Sequence, residues 1–274
     1  MNDTNENYGK NTLLFYFMII IGLIFAFPFV WMLIATTNTS YDIVSGRLLP
    51  GTYIIENLKV LFGNRSVALI FWNSLRNSLL GTFFSLFVCS MAGYGFTIYR
   101  DKAKDRLMFI LLLSMMVPFA AVMIPLFRLF TQFNLMNTTL GFILPFISTA
   151  FLIFFFRQST ISFPMEIVQA ARIDGMGEFG IYLRIFVPIM MPTFAAAGIV
   201  TFMNYWNNFI WPLIILQNYN AMVLSRMISM IQDTYTIDYG ELMTGVLIYT
   251  LPVVIVFITQ QKRFISGIIG SVKG

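Results

Sequence analysis

Six stretches of this sequence are long and apolar enough to cross a bilayer as helices: about Leu13–Ala35, Leu75–Ile98, Leu107–Phe127, Leu140–Phe156, Thr193–Leu216 and Leu242–Phe264. Hydrocarbon offers no water to backbone N–H and C=O groups, so a spanning segment must satisfy them internally, and none of the runs alternates with the period of a barrel strand. The expected fold is therefore an all-α integral membrane protein with six transmembrane helices. Composition agrees: 58% of the 274 residues are hydrophobic, only 11% are charged, and there is no histidine, which excludes an ordinary soluble domain. All twelve Asp and Glu fall in the leader, loops or span ends. A proton relay would need acidic groups inside the spans, so a proton- or sodium-coupled secondary transporter is disfavoured.

Residues 1–12 form a polar leader, and the first run lacks a small-residue cleavage site, so it is expected to stay as an anchor. The single cysteine, Cys89, has no disulfide partner and is expected to pack as a small apolar residue. With the N-terminus inside, Lys10, Arg100, Lys102, Lys104, Arg106, Arg157, Arg172, Arg184, Lys262, Arg263 and Lys273 are cytoplasmic, against Arg47, Lys59, Arg65, Arg76, Arg128 and Arg226 outside. Both termini and the 158–192 loop are thus expected in the cytoplasm. The net charge of +5 is this orientation signal; no basic stripe interleaved with aromatics suggests nucleic acid. One domain is expected over 1–274, with spans within 13–264 and a tail at 265–274.

The most distinctive polar stretch is Pro164–Pro192, set between apolar runs. Pro164 suits the first turn of a helix over about 164–173, Ser162 is placed to cap it, and Gly175 is expected to end it in the left-handed conformation. Glu166, Gln169, Ala170 and Ile173 share one face, and the Ala170–Ala171 pair keeps the helix low enough for close approach. Asp174 opposes the helix dipole and is better placed to accept hydrogen bonds from the start of a second helix, opened by Gly177 and Glu178 and closed by Pro188. Residue physics alone leaves two possibilities open: a hairpin gripped by another protein, or an amphipathic hairpin lying on the membrane.

The spacing in this hairpin resembles the EAA loop of the permease subunits of bacterial ABC importers: E-A-A, three residues, G, nine residues, I-x-L-P. Here it reads Gln169-Ala170-Ala171, Gly175, then Ile185-Phe186-Val187-Pro188. Gln169 stands in place of the usual Glu and Val187 in place of Leu; Glu166 keeps an acid on the same face. The similarity covers nearly the whole chain after Phe27 and is greatest to the carbohydrate branch, of the type of the maltose transporter's second permease. It is carried by NSLRNSLL (73–80), AGYGF (92–96), VPFAAVMIPLF (117–127), WNNFIWPLIIL (206–216) and the tail Gly270-Ser271-Val272-Lys273-Gly274.

The resemblance implies a type I ABC importer permease fold with a cytoplasmic coupling-helix hairpin, in the bacterial cytoplasmic membrane. It also implies a second homologous permease subunit, two ATP-binding cassette ATPase subunits and an extracytoplasmic sugar-binding protein as partners. ATPase coupling would fall to Glu166, Gln169, Ala170, Ala171, Asp174 and Gly175, with a tail contact at Val272, Lys273 and Gly274. The chain has no phosphate loop, no H-E-x-x-H, no His or Cys cluster and no G-x-S-x-G, so no catalytic or metal site and no cofactor is expected here; ATP and Mg would be held by the partner ATPases. In the fifth span Asn204, Asn208 and Trp211 share a face at i, i+4, i+7, where amides and a flat ring suit a sugar pathway; the other reading puts the Trp in an interfacial belt and the Asn between packed helices.

Overall fold

The computed structural model describes the backbone of residues 2–272 and the side chains of residues 14–63 and 65–259. Among them there are helices and loops and no strand. In chain order the helices are α1 (Asn2–Ala35), α2 (Ser40–Val44), α3 (Ile54–Asn64), α4 (Val67–Ile98), α5 (Lys102–Ser114), α6 (Phe119–Gln132), α7 (Thr139–Ile143) and α8 (Ala150–Thr160). These are followed by α9 (Met165–Ile173), α10 (Glu178–Ile181), α11 (Val187–Ile189), α12 (Met191–Trp206), α13 (Ile210–Ile215), α14 (Leu224–Gln232) and α15 (Tyr239–Val272). Short 3-10 turns follow α7 at Leu144–Phe146 and precede α14 at Tyr219–Ala221, and a π-helical turn, Tyr182–Phe186, joins α10 to α11.

Three helices carry span-length apolar windows unbroken: Leu14–Ala35, Val67–Ile98 and Tyr239–Thr259. Three further pairs qualify only when taken together across a bend, of 96° between α5 and α6, 55° between Thr139–Phe146 and α8, and 82° between Glu178–Ile189 and α12. The third run predicted as one span is thus two helices. Pro118 disfavours the helical region for the residue before it and caps α6 with extended backbone. The fourth predicted span is also interrupted: Pro145 lies in the 3-10 turn, and Thr149 starts α8 afresh by accepting a hydrogen bond from Leu152 N. The fifth does not run from Thr193 to Leu216, because α12 stops at Trp206. Asn208 Oδ1 accepts from Trp211 N, and α13 begins, with Pro212 in its first turn where no N–H is required. In an unbroken helix Pro212 could not donate to Asn208 O and its ring would crowd that carbonyl, which instead accepts from Ser225 Oγ at 2.8 Å, so the proline contributes to the break at 207–209.

By contact the chain divides into two compact units, residues 1–66 with 228–251 and residues 67–227 with 252–274. The first joins the end of α1 to the start of α15 through α3. The second is organised on α4, a helix of 32 residues and about 48 Å at 1.5 Å per residue. Asn77, Gly81, Ser85, Cys89 and Gly93, four residues apart, form a buried ridge of small side chains along it. A methyl group added at Gly81 would lie 2.6 Å from the Tyr205 ring of α12, and one at Gly93 2.6 Å from Phe156 Cβ of α8. These two glycines set how closely α12 and α8 approach α4. Gly95, on the same helix, has open space above it and sets no such approach.

Candidate functional site

Two places in the second unit gather the residues singled out in the sequence. The first is the α9–α10 hairpin. Helix α9 ends in a Schellman motif: Gly175 N donates to Arg172 O and Met176 N to Ala171 O, each at 3.0 Å, with Gly175 at φ +79°. That is the left-handed glycine the sequence predicts. Open space surrounds its Cβ position, so what selects glycine here is the backbone conformation rather than crowding. Ser162 does not cap the helix. Its hydroxyl donates back to Ser159 O at 3.1 Å, and Pro164 occupies the cap position. Asp174 accepts nothing from the second helix among the described residues and stands exposed. Pro188 does not close the second helix either: helical backbone runs on to Ile189, and the 82° bend follows it.

Underneath, the hairpin is bolted to α4 and to the start of α12. Val168, Ala171, Ile181, Tyr182 and Phe186 form one buried cluster with Tyr94 and Phe163. Tyr94 meets Phe186 edge-on at 4.9 Å, and Tyr182 Oη lies 2.6 Å from Ser90 Oγ of α4. The π-helical turn, with its wider winding, lets Tyr182 and Phe186 stack at 5.7 Å and both face inward. Ala171 is consequently 4% exposed and belongs to the base, whereas Ala170 is exposed. The two alanines were expected to form one low surface; successive helical residues point about 100° apart, and only Ala170 is on the outer face. Glu166, Gln169 and Ile173 share that face, and Ile173 is 87% exposed.

A polar clasp closes the hairpin. Arg172 Nε donates to Glu178 Oε1 at 2.6 Å, and the guanidinium lies 5.7 Å from the centre of the Tyr99 ring. The Arg172 hydrogen bond, helped by the Tyr99 hydroxyl, holds the Glu178 carboxyl below its ordinary range. Glu178 in turn raises Arg172, and burial above all raises the Tyr99 phenol. Sequence reasoning missed this clasp, because its members are six residues apart across a turn and helical periodicity does not pair them.

The second place is a groove of about 400 Å³ between α8 and α12. Phe146, Phe151, Phe155 and Val200 line it, with Thr149, Thr201, Asn204 and Asn208 supplying the polar atoms. Asn204 and Asn208 come together as predicted, but Trp211 does not join them. It is 0% exposed, donates Nε1–H to Gly141 O at 2.9 Å and meets Phe130 edge-on at 5.4 Å. The i, i+7 relation assumed an unbroken helix, and the break at 207–209 turns the ring into the core. Thr201, which is i−3 from Asn204 and was legible on that ground, and Thr149, which was not, are the additions. Among the described residues no three His, Cys, Asp or Glu could hold a metal ion. The tail positions Lys273 and Gly274 and the Val272 side chain lie outside the described residues.

Comparison with known proteins places these features. Residues 85–269 match the family described as binding-protein-dependent transport system inner membrane component. The chain is 44% identical over 247 residues to the lactose transport system permease protein LacG of Rhizobium radiobacter, covering 90% of each. It is 37% identical over 264 residues to the arabinooligosaccharides transport system permease protein AraQ of Bacillus subtilis (strain 168), covering 94% of each. A crystal structure of a bacterial ABC transporter involved in the import of the acidic polysaccharide alginate contains a chain that superposes with a TM-score of 0.81, over 93% of this chain and 96% of that one. At 19% identity the superposition shows the fold, which is that of an ABC importer permease. With the helices, the hairpin and these matches together, the chain belongs to the inner membrane components of binding-protein-dependent transport systems.

Proposed function

We propose that this chain is the membrane subunit of an ATP-driven importer for an oligosaccharide. It crosses the membrane six times with both termini and the 158–192 hairpin in the cytoplasm, and forms the pathway with a second, homologous permease. The observation that carries the proposal is the hairpin. Its outer face, Glu166, Gln169, Ala170 and Ile173, is exposed and low, while its inner face is buried against α4 and α12. A surface built this way can receive a push and pass it into the helices behind. The ATP hydrolysed for that push is bound, with Mg, by two partner ATPase subunits, and a sugar-binding protein delivers the cargo from outside.

Asn204, Asn208, Thr149 and Thr201 suit a neutral polyol, offering amide and hydroxyl groups with no charge to desolvate, between aromatic walls. The relatives' names, lactose and arabinooligosaccharides, support the substrate class. The tail at Val272, Lys273 and Gly274 is assigned a second contact with the ATPase pair. The test is uptake by the reconstituted complex with its binding protein, offered lactose and arabinooligosaccharides in turn. ATP-dependent accumulation of at least one is expected; ATP hydrolysis with none accumulated would contradict the assignment.

A further inference from the structure

Helix α3 divides its surface into three sectors, at about 100° per residue. Asn57 and Leu61 are buried against the rest of their unit. Ile54, Ile55, Leu58 and Phe62 form a continuous exposed apolar stripe, with Phe62 52% exposed. Glu56 and Lys59 stand exposed on the remaining sector. A helix packed on protein on one side and bathed in water elsewhere needs only two sectors. The third calls for an apolar neighbour.

The attachments of α3 say which neighbour. Asn57 Nδ2 donates to Thr36 O and Asn38 O, both at 3.0 Å, the carbonyls that directly follow the apolar window of α1. The same carboxamide presses on Gly240, at the start of α15, where any side chain would collide with it. Just past the other end of α3, Arg65 Nε donates to Glu241 Oε1 at 2.9 Å in a largely buried ion pair. Both ends of α3 are therefore tied to the level at which one span-length helix ends and another begins. That level is where hydrocarbon gives way to headgroups. The stripe itself offers only aliphatic and phenyl carbon and no hydrogen-bonding atom, whereas a protein interface of this size carries polar groups as well.

We infer that α3 lies flat in the membrane interface, with Ile54, Ile55, Leu58 and Phe62 among the acyl chains and Glu56 and Lys59 towards headgroups and water. Tyr53, half exposed at its start, suits the headgroup level. The inference uses the membrane assignment of the family and is independent of the cargo. The test places nitroxide labels, in a Cys89→Ala background, at Leu58→Cys, Phe62→Cys, Glu56→Cys and Lys59→Cys of the assembled importer in lipid nanodiscs. Collision rates with oxygen and with a water-soluble nickel chelate are then compared. Positions 58 and 62 are expected to favour oxygen several-fold over nickel relative to 56 and 59. Low rates with both reagents at 58 and 62 would mean a protein partner covers the stripe, and nickel access at all four would mean water does; either overturns the inference. Should the cysteine variants fail to assemble, the unsubstituted complex can be labelled with a lipid-borne carbene, which is expected to modify residues 54, 55, 58 and 62. An unmodified α3 would overturn the inference equally.

Discussion

The α9–α10 hairpin and the α8–α12 groove belong to the same half of the chain and are built in opposite ways. The hairpin owes its shape to neighbours in sequence: a left-handed glycine, a Schellman pair and an ion pair across one turn. The groove is assembled from α8, α12 and the turn after α7, and it exists because Gly81 and Gly93 let those helices close on α4. The hairpin turns a small face, half polar and half apolar, outward over a packed base. The groove is mostly apolar carbon with a few uncharged polar groups. A surface of the first kind suits transmission of force between proteins, and one of the second kind suits weak, reversible contact with a neutral solute. Changes in the hairpin should abolish coupling outright, whereas changes in the groove should alter apparent affinity by degrees.

The largest effect is expected at Ala170. Ala170→Arg places a long cation on the exposed face, so the ATPase should no longer co-purify and uptake should be lost while the permease still inserts and folds. Ala171→Trp should also abolish uptake, but by overfilling the Tyr94–Phe186 cluster at a cost of about 1–3 kcal/mol, so that the hairpin itself loses protease resistance. Limited proteolysis of the two variants separates the outcomes; equal protease sensitivity would erase the distinction between face and base.

Next in size is Gly175→Val, which forces a β-branched residue into the left-handed region at about 1–3 kcal/mol. Gly177, at φ −70° with open space around it, should accept valine with little change. Uptake rates of the two variants check this, and similar losses in both would show that the Schellman turn does not set the hairpin's orientation.

These positions also mark how much was legible in sequence. The left-handed Gly175 and the face shared by Glu166, Gln169, Ala170 and Ile173 follow from local rules, since a helix end and a helical period depend on few residues. The inward turn of Ala171 was also available from the period, but the identity of an Ala-Ala pair hid it. Trp211 was beyond local rules: its burial depends on the break between α12 and α13 at 207–209, which an assumed unbroken helix did not include. The apolar helical runs were legible, yet their bends were not, because a proline signals a break without stating its angle. The groove needed the tertiary contacts of α4, and no pattern within α12 alone supplies Thr149.

Smaller changes are expected in the groove. Asn204→Ala and Thr201→Val each remove one hydrogen-bonding group and should raise the KM for transport several-fold with kcat nearly kept, as loss of about 0.5–1.5 kcal/mol of binding implies. A collapse of kcat instead would assign these residues to the coupling route.

The smallest effect concerns pH. Because Arg172 lowers the Glu178 carboxyl, the clasp's contribution is fully present above the ordinary carboxylate range and is lost as pH falls through the lowered folded value. Protection of the Gly175–Gly177 amides, taken as intrinsic over observed exchange rate, should therefore hold at neutral pH and fall only as the pH drops through the lowered Glu178 value. Glu178→Gln should remove that dependence; an unchanged profile in the variant would show the clasp to be idle.

If the outer face of α9 is the surface on which the ATPase bears, Ile173, 87% exposed in the isolated chain, reports on it most directly. With Ile173→Cys in a Cys89→Ala background, the rate of modification by a water-soluble maleimide can be compared between the permease pair and the complete complex. Rapid modification is expected in the pair, strong protection in the complex, and a crosslink from position 173 to the ATPase subunit when a short bifunctional maleimide is used. Equal rates in the two assemblies, with no crosslink formed, would contradict it.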